Sequence, residues 1–298
     1  MKTAHCRFGA AALLFPVLLL SGCLWSTRKL PVPKEPAVVQ TVTPDALAAL
    51  LNQRWDAMES LTATVEIQAS VLKPKEGLAR DYTSIRGIIL IRKPQMLRVY
   101  GRVPVIGTRA FDMVSDGKDF TLWIPSKNVA YEGSNTLEKK SANPLENLRP
   151  GFFLDALVVR GLEPDDLYGV VSDSETVEDA SRKHLLLVPE YILSISRNKP
   201  GSRELIPERV VTFNRDDLLP SQQDLYDSDG NLQTQVFYFA YRAFGTNMYP
   251  TKVIIKRPIE GLQTVLTIDK IVENQQPPLT ASEFVLKPTE GTRIQILK

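Results

Sequence analysis

Few side chains in this 298-residue chain could do covalent or acid–base chemistry. It holds two histidines and two cysteines. His5 and Cys6 fall in the first segment, which leaves His184 and Cys23. His184 opens the apolar run His-Leu-Leu-Leu-Val and reads as a structural or edge position, not as a base beside a nucleophile. No Gly-x-Ser-x-Gly elbow and no phosphate-cradling glycine loop occurs. Asp227-Ser228-Asp229-Gly230 has the composition of a calcium loop. With Gly230 at the sixth position, however, Leu225 and Val236 would fall at the first and twelfth, where oxygen ligands are required. The segment therefore reads as a hairpin turn. The pairs Asp165-Asp166 and Asp216-Asp217 sit in loop-like stretches and read as solvated. The expectation is no catalytic residue, no metal site, no cofactor and no enzymatic activity.

Cys23 has a different context. Lys2 and Arg7 give a basic start without an acidic residue, and an apolar run follows from Phe8 to Leu20. That run is shorter than the ~20 apolar residues a membrane-spanning helix needs, so it reads as a secretory signal. It ends in Leu20-Ser21-Gly22-Cys23, which resembles the lipobox of bacterial lipoproteins. The expectation is cleavage before Cys23 and lipidation of its thiol. Each buried methylene then adds about 0.8 kcal/mol of membrane affinity, so several acyl chains hold firmly.

Removing residues 1–22 takes away two basic residues and no acid. The 36 Lys and Arg fall to 34, equal to the 34 Asp and Glu. A neutral chain lacks the basic excess of a nucleic-acid binder. The remaining length suits one large β-rich domain. The domain expectation is a signal peptide at 1–22, a lipidated Pro-rich tether at 23–42 carrying Pro31, Pro33 and Pro36, and a domain at 43–298.

The elements that position these residues follow from periodicity. Thr43 can cap a helix, Pro44 suits its first turn, and Leu47, Leu50, Leu51, Trp55 and Met58 share one face. From Leu61 the period becomes two: Leu61, Ala63, Val65, Ile67, Ala69 and Val71 alternate with mostly polar neighbours. Further strands are expected at 82–91, 96–103, 109–114, 120–124 and 129–132, with Asp116-Gly117 as a hairpin turn. Phe153, Leu154, Leu157 and Val158 predict a helix over 150–161. Strands resume at 184–188, 209–214, 222–226, 233–242, 251–256, 264–272 and 284–286. Residues 189–207 are expected to form a polar surface excursion. The fold class is mainly β (α+β), a curved antiparallel sheet with one face covered by helices.

Several stretches resemble the outer-membrane lipoprotein carrier family, LolA. They are Gly87-Ile-Ile-Leu-Ile-Arg-Lys-Pro94, Val114-Ser-Asp-Gly-Lys118, Leu122-Trp-Ile-Pro125 and Phe284-Val-Leu-Lys-Pro-Thr-Glu-Gly291. Others are similar to the anchored receptor of that family, LolB: Val103-Pro-Val-Ile-Gly-Thr108, Leu148 to Pro164, and Pro250 to Asn274. The resemblance covers roughly residues 44 to 292 as an order of elements. Lys93 departs from it, since the carrier has Arg there, and Arg and Lys differ at a geometrically defined contact.

The resemblance implies a half-open antiparallel β-barrel with a helical lid over an apolar cavity that holds lipid acyl chains. Phe152, Phe153, Leu154, Leu157 and Val158 are then the lid and cavity candidates. Val105 and Ile106, adjacent apolar residues at a bend between Pro104 and Gly107, cannot both face one side of a sheet. The matching receptor loop makes them candidates for transfer of cargo to the bilayer. The implied function is a lipoprotein held in the cell envelope, at the outer membrane facing the periplasm. It binds acyl chains or lipidated proteins, receives them from a periplasmic carrier protein, and aids lipoprotein sorting or insertion. A regulatory or structural interaction lipoprotein built on the same fold is the alternative.

Overall fold

The computed structural model describes residues 39–73, 78–135, 149–178 and 183–297, with Lys29, Pro31 and Ser181. The expected leader at 1–22, Cys23, most of the tether, and Leu148 lie outside the described residues. The chain forms two compact units, residues 1–35 with 176–187 and residues 36–175 with 188–298. Of the first, the described part is chiefly the end of one strand and the start of the next.

Helix α1 spans Pro44–Ala57. The Thr43 hydroxyl accepts the Ala46 N–H at 3.2 Å, and Pro44 begins the helix where its missing N–H is harmless. Seven strands follow: β1 Ser60–Lys73, β2 Leu78–Asp81, β3 Ile85–Arg92, β4 Met96–Arg102, β5 Arg109–Ser115, β6 Asp119–Ile124 and β7 Val129–Ser134. Helix α2 spans Gly151–Leu157. Then come β8 Leu167–Glu178, β9 Leu185–Asn198, β10 Leu205–Asn214, β11 Pro220–Tyr226, β12 Leu232–Phe244, β13 Asn247–Arg257, β14 Leu262–Glu273 and β15 Arg293–Leu297.

These strands make one sheet, ordered β15-β7-β6-β5-β4-β3-β1-β14-β13-β12-β11-β10-β9-β8, with β2 on β1. Two meanders therefore meet at β1, which pairs with β3 on one side and β14 on the other. The edge strands β8 and β15 do not pair with each other, so the sheet stays open.

The period-two pattern places the core on one face. Leu61, Ala63, Val65 and Ile67 of β1 are buried with Ile89 and Ile91 of β3, Leu97 and Val99 of β4, and Val253 and Ile255 of β13. Helix α2 packs into this cluster. A second cluster joins Leu47 and Leu51 of α1 to Leu193, Ile195, Val211 and Phe213 of β9 and β10. The helices thus share the buried face, α2 over one stretch and α1 over another. A Cβ at Gly87 would lie 2.9 Å from the Tyr100 carbonyl oxygen, so a glycine there lets β3 and β4 pack beneath Ile67.

The structure corrects several expectations. Residues 189–207 are not an excursion: most belong to β9 and β10, and Tyr191, Leu193 and Ile195 are buried at period two. Only the turn around Pro200-Gly201 fits the polar reading. Helix α2 stops at Leu157 instead of Gly161, and Val158 is already extended. The first expected strand after β1 begins at Ile85 instead of Tyr82. Residues 281–284 form a 3-10 turn with a Thr280/Glu283 capping box, where a strand was expected at 284–286. Strands β2, β8 and β15 were not expected: β2 and β8 are mostly exposed and carry little hydrophobic alternation, and β15 is short, its alternating Ile294 and Ile296 both exposed. The sheet is also not wholly antiparallel, since β15 runs parallel to β7.

Candidate functional site

Short α2 has to satisfy its last carbonyls without a long C-terminal cap. One buried polar side chain serves the helix end, and a second serves the extended segment that follows it. Gln223, in the inward phase of β11, donates to the Asp155 carbonyl at 2.7 Å. Arg209 of β10, 3% exposed, donates to the carbonyls of Arg160 and Gly161. Burial lowers the Arg209 pKa, with Arg160 nearby acting in the same direction. At the other end of α2, the Phe152 and Phe153 rings stack at 4.2 Å, and the Arg257 guanidinium lies 6.0 Å from the Phe152 ring. Arg257 is itself held by Glu260 at 2.8 Å and by Thr234 at 2.9 Å.

Between the helices and the sheet lies a cavity of about 440 Å³. Leu51, Trp55 and Met58 of the α1 segment face Leu157 and Val158 across it, with Tyr238, Tyr241 and Tyr249 on the sheet side. The phenols are largely engaged. Tyr241 donates to the Pro220 carbonyl and Tyr249 to Glu273, each at 2.7 Å. Burial pushes the pKa of all three tyrosines up, and Glu273 adds to this at Tyr249, so they line the cavity as neutral groups. At the rim, Arg54 donates to the Leu218 carbonyl at 2.8 Å. Burial lowers its pKa, and burial raises that of nearby Asp217. The size falls within the ~300–1,000 Å³ of small-molecule sites. A smaller hollow of about 260 Å³, bordered by Leu97, Ser115, Leu154 and Asp155, lies on the other side of Trp55.

The candidate residues separate in space. Leu157 and Val158 line the larger cavity, and Leu154 lines the smaller one. Phe152 and Phe153 are buried in the core and border neither. Val105 and Ile106 lie elsewhere, at the tip of the β4–β5 connection, and both are exposed. Cys23 lies outside the described residues. Lys93 reaches α1 and not α2: its ammonium sits 4.4 Å from the centroid of the Trp55 ring. His184 is exposed just before β9. Arg209 and Gln223 were missed, although Gln223 shows as a polar residue in phase with buried Leu225.

No family model and no curated protein sequence matches this chain. Solved structures do. A LolA superfamily protein from Nitrosomonas europaea aligns with a TM-score of 0.51 and 15% identity, over 83% of this chain and 99% of that one. A DUF1329 family protein from Desulfovibrio piger aligns with a TM-score of 0.49 and 14% identity, over 80% and 95%. At such identities the likeness concerns the fold, and the open sheet with its two covering helices is a LolA-like fold.

Proposed function

We propose that the protein is a non-enzymatic, membrane-anchored lipoprotein of the outer membrane. It takes lipid acyl chains, free or carried on a lipidated protein, into the cavity under α1 and α2, and so aids lipoprotein sorting or insertion. The observation that carries this reading is the 440 Å³ cavity, walled by Leu51, Trp55, Met58, Leu157 and Val158. An apolar chain entering it loses contact with water while the Tyr241 and Tyr249 hydroxyls keep their internal partners. Cys23 supplies the anchor, and the Pro-rich tether lets the domain meet a periplasmic carrier protein. Val105 and Ile106 hand the chain to the bilayer.

The test is to purify the full chain, extract it with organic solvent and analyse the extract by mass spectrometry. An environment-sensitive apolar dye is then titrated and displaced with lipoprotein. Co-purifying acyl chains, or displaceable dye, are expected. Leu157→Trp, which fills the cavity, should abolish dye binding. A lipid-free extract together with no dye binding rejects the reading in favour of a regulatory or structural interaction lipoprotein.

A further inference from the structure

The register of three neighbouring strands makes a feature that no single segment shows. Arg86 of β3 lies directly opposite Arg102 of β4, and Arg102 lies directly opposite Arg109 of β5. Like charges at directly opposed positions destabilise a sheet. Compensation is incomplete. Arg109 contacts Asp112, which also accepts two hydrogen bonds from Arg98 at 3.0 and 2.8 Å, so one fully buried carboxylate serves two guanidinium groups. Glu66 is opposite Arg86, but it accepts a hydrogen bond from Ser84 and forms no ion pair with Arg86 among the described residues. Arg86 and Arg102 are exposed, and neither makes a side-chain hydrogen bond or ion pair among the described residues.

The loop beside this row is built against local preference. The Ile106 N–H donates to the Pro104 carbonyl at 2.8 Å, closing a three-residue γ-turn. Val105 at its centre has φ +68°. That form of the turn is rare and strained, and a β-branched residue in the left-handed region is an outlier. Yet Val105 is fully exposed and Ile106 is 72% exposed. Two apolar side chains therefore project into solvent on a strained backbone, with unpaired Arg102 on the strand that leads into them and unpaired Arg86 opposite it on β3. Strain of this kind at an exposed site points to a task for the side chains.

We infer that the β4–β5 loop and the Arg86–Arg102–Arg109 row form one docking surface for an anionic phospholipid bilayer. Val105 and Ile106 enter the acyl region while the guanidinium groups bind headgroup phosphates. Guanidinium forks suit phosphate oxygens, and the planar charge is weakly hydrated. Each phosphate taken between two opposed arginines also removes their mutual repulsion. The inference rests on the proposed function and adds to it the class of lipid at which delivery occurs.

The experiment uses the chain from Leu24 onward, without the leader and without Cys23, so that neither an acyl anchor nor the apolar run Phe8 to Leu20 masks the surface. Its flotation is measured with phosphatidylcholine vesicles and with vesicles that also contain phosphatidylglycerol. Binding only to the anionic vesicles is expected, weakening as salt screens the charges. Arg86→Gln with Arg102→Gln should reduce it about 30-fold, from ~1 kcal/mol per basic residue near an anionic surface. Arg86→Lys with Arg102→Lys should retain most of it. Val105→Ser with Ile106→Ser should weaken binding to the same vesicles. Free glycerol phosphate at millimolar level should not compete; if it does, the row is a soluble-phosphate site and the bilayer proposal is overturned. Equal binding to both vesicle types, or unchanged binding of the glutamine variant, also overturns it. Removing opposed like charges should not lower the melting temperature, which separates lost binding from lost folding. Dye binding in the cavity is read on the same samples. Dye uptake without anionic preference rejects only the docking surface, and anionic preference without dye uptake rejects only the cavity reading.

Discussion

The Lys93 ammonium stands 4.4 Å from the centroid of the Trp55 ring, which fastens the end of α1 to the β3–β4 turn. Lys93 also donates to the Asp56 carbonyl at 3.5 Å. Trp55 borders both hollows, so its side chain stands between them. Lys93→Gln should lower stability by about 0.5–1 kcal/mol, the worth of a cation–π contact. Trp55→Ala should cost about 3 kcal/mol and join the hollows. Denaturant titration with dye binding checks both: dye uptake should rise in the Trp55 variant and stay unchanged in Lys93→Gln.

Leu157 separates a lid from an ordinary core helix. Leu→Ala in a dry core costs on the order of 2–5 kcal/mol. Leu157 already borders open space, so Leu157→Ala should fall near the lower end, about 2 kcal/mol, and weaken binding of an acyl-chain probe. Chemical denaturation and probe titration read the two effects. A loss near 5 kcal/mol with unchanged binding identifies α2 as a plain core helix.

Val105 and Ile106 are exposed, so charged replacements bury nothing. Val105→Glu with Ile106→Glu should change stability by no more than about 0.5 kcal/mol, as surface changes do. Delivery of lipoprotein to membranes should nevertheless fail. A melting curve and a reconstituted transfer assay check this, and either misfolding or normal delivery refutes a transfer role.

The Asp116 carboxylate accepts the N–H groups of Lys118 and Asp119, both at 2.8 Å, in the β5–β6 turn. These backbone hydrogen bonds hold its pKa below the usual carboxylate value. A depressed folded pKa adds stability above the unfolded value of about 3.9, and that stability is lost as pH falls from there through the folded value. Asp116→Ala should cost on the order of 1 kcal/mol at neutral pH and flatten this acid limb. Melting temperatures from pH 7 downward provide the measurement.

Cys23→Ala should remove metabolic acyl labelling, and should leave the leader uncleaved by the lipoprotein pathway or release the protein from membranes. Fractionation with radiolabelled fatty acid checks it, and efficient labelling of the variant would end the lipoprotein reading.

Legibility followed the range of the interactions. The Thr43 cap, the Asp116-Gly117 turn and the inward series Leu61, Ala63, Val65, Ile67 are set by neighbours one to four residues away, and each was readable. Tyr191, Leu193 and Ile195 carried the same period-two signal, but Pro189, Pro200 and Gly201 masked it. Strand β8 carried almost none, because an exposed edge strand needs no apolar face, and β15 carried it over only five residues.

The sequence by itself determined which residues alternate into a core, where the helices begin, and the leader pattern before Cys23. Those features depend on local periodicity and on chemistry along the chain. The tertiary structure alone decided that Leu157 and Val158 border space while Phe152 and Phe153 fill it, because inward apolar positions look the same whether or not a neighbour reaches them. It alone set Arg86, Arg102 and Arg109 in a row, since strand register is fixed by pairing between segments. It alone gave Arg209 and Gln223 their purpose, because the carbonyls they satisfy lie about 50 and 70 residues away in sequence and meet them only when α2 folds onto the sheet.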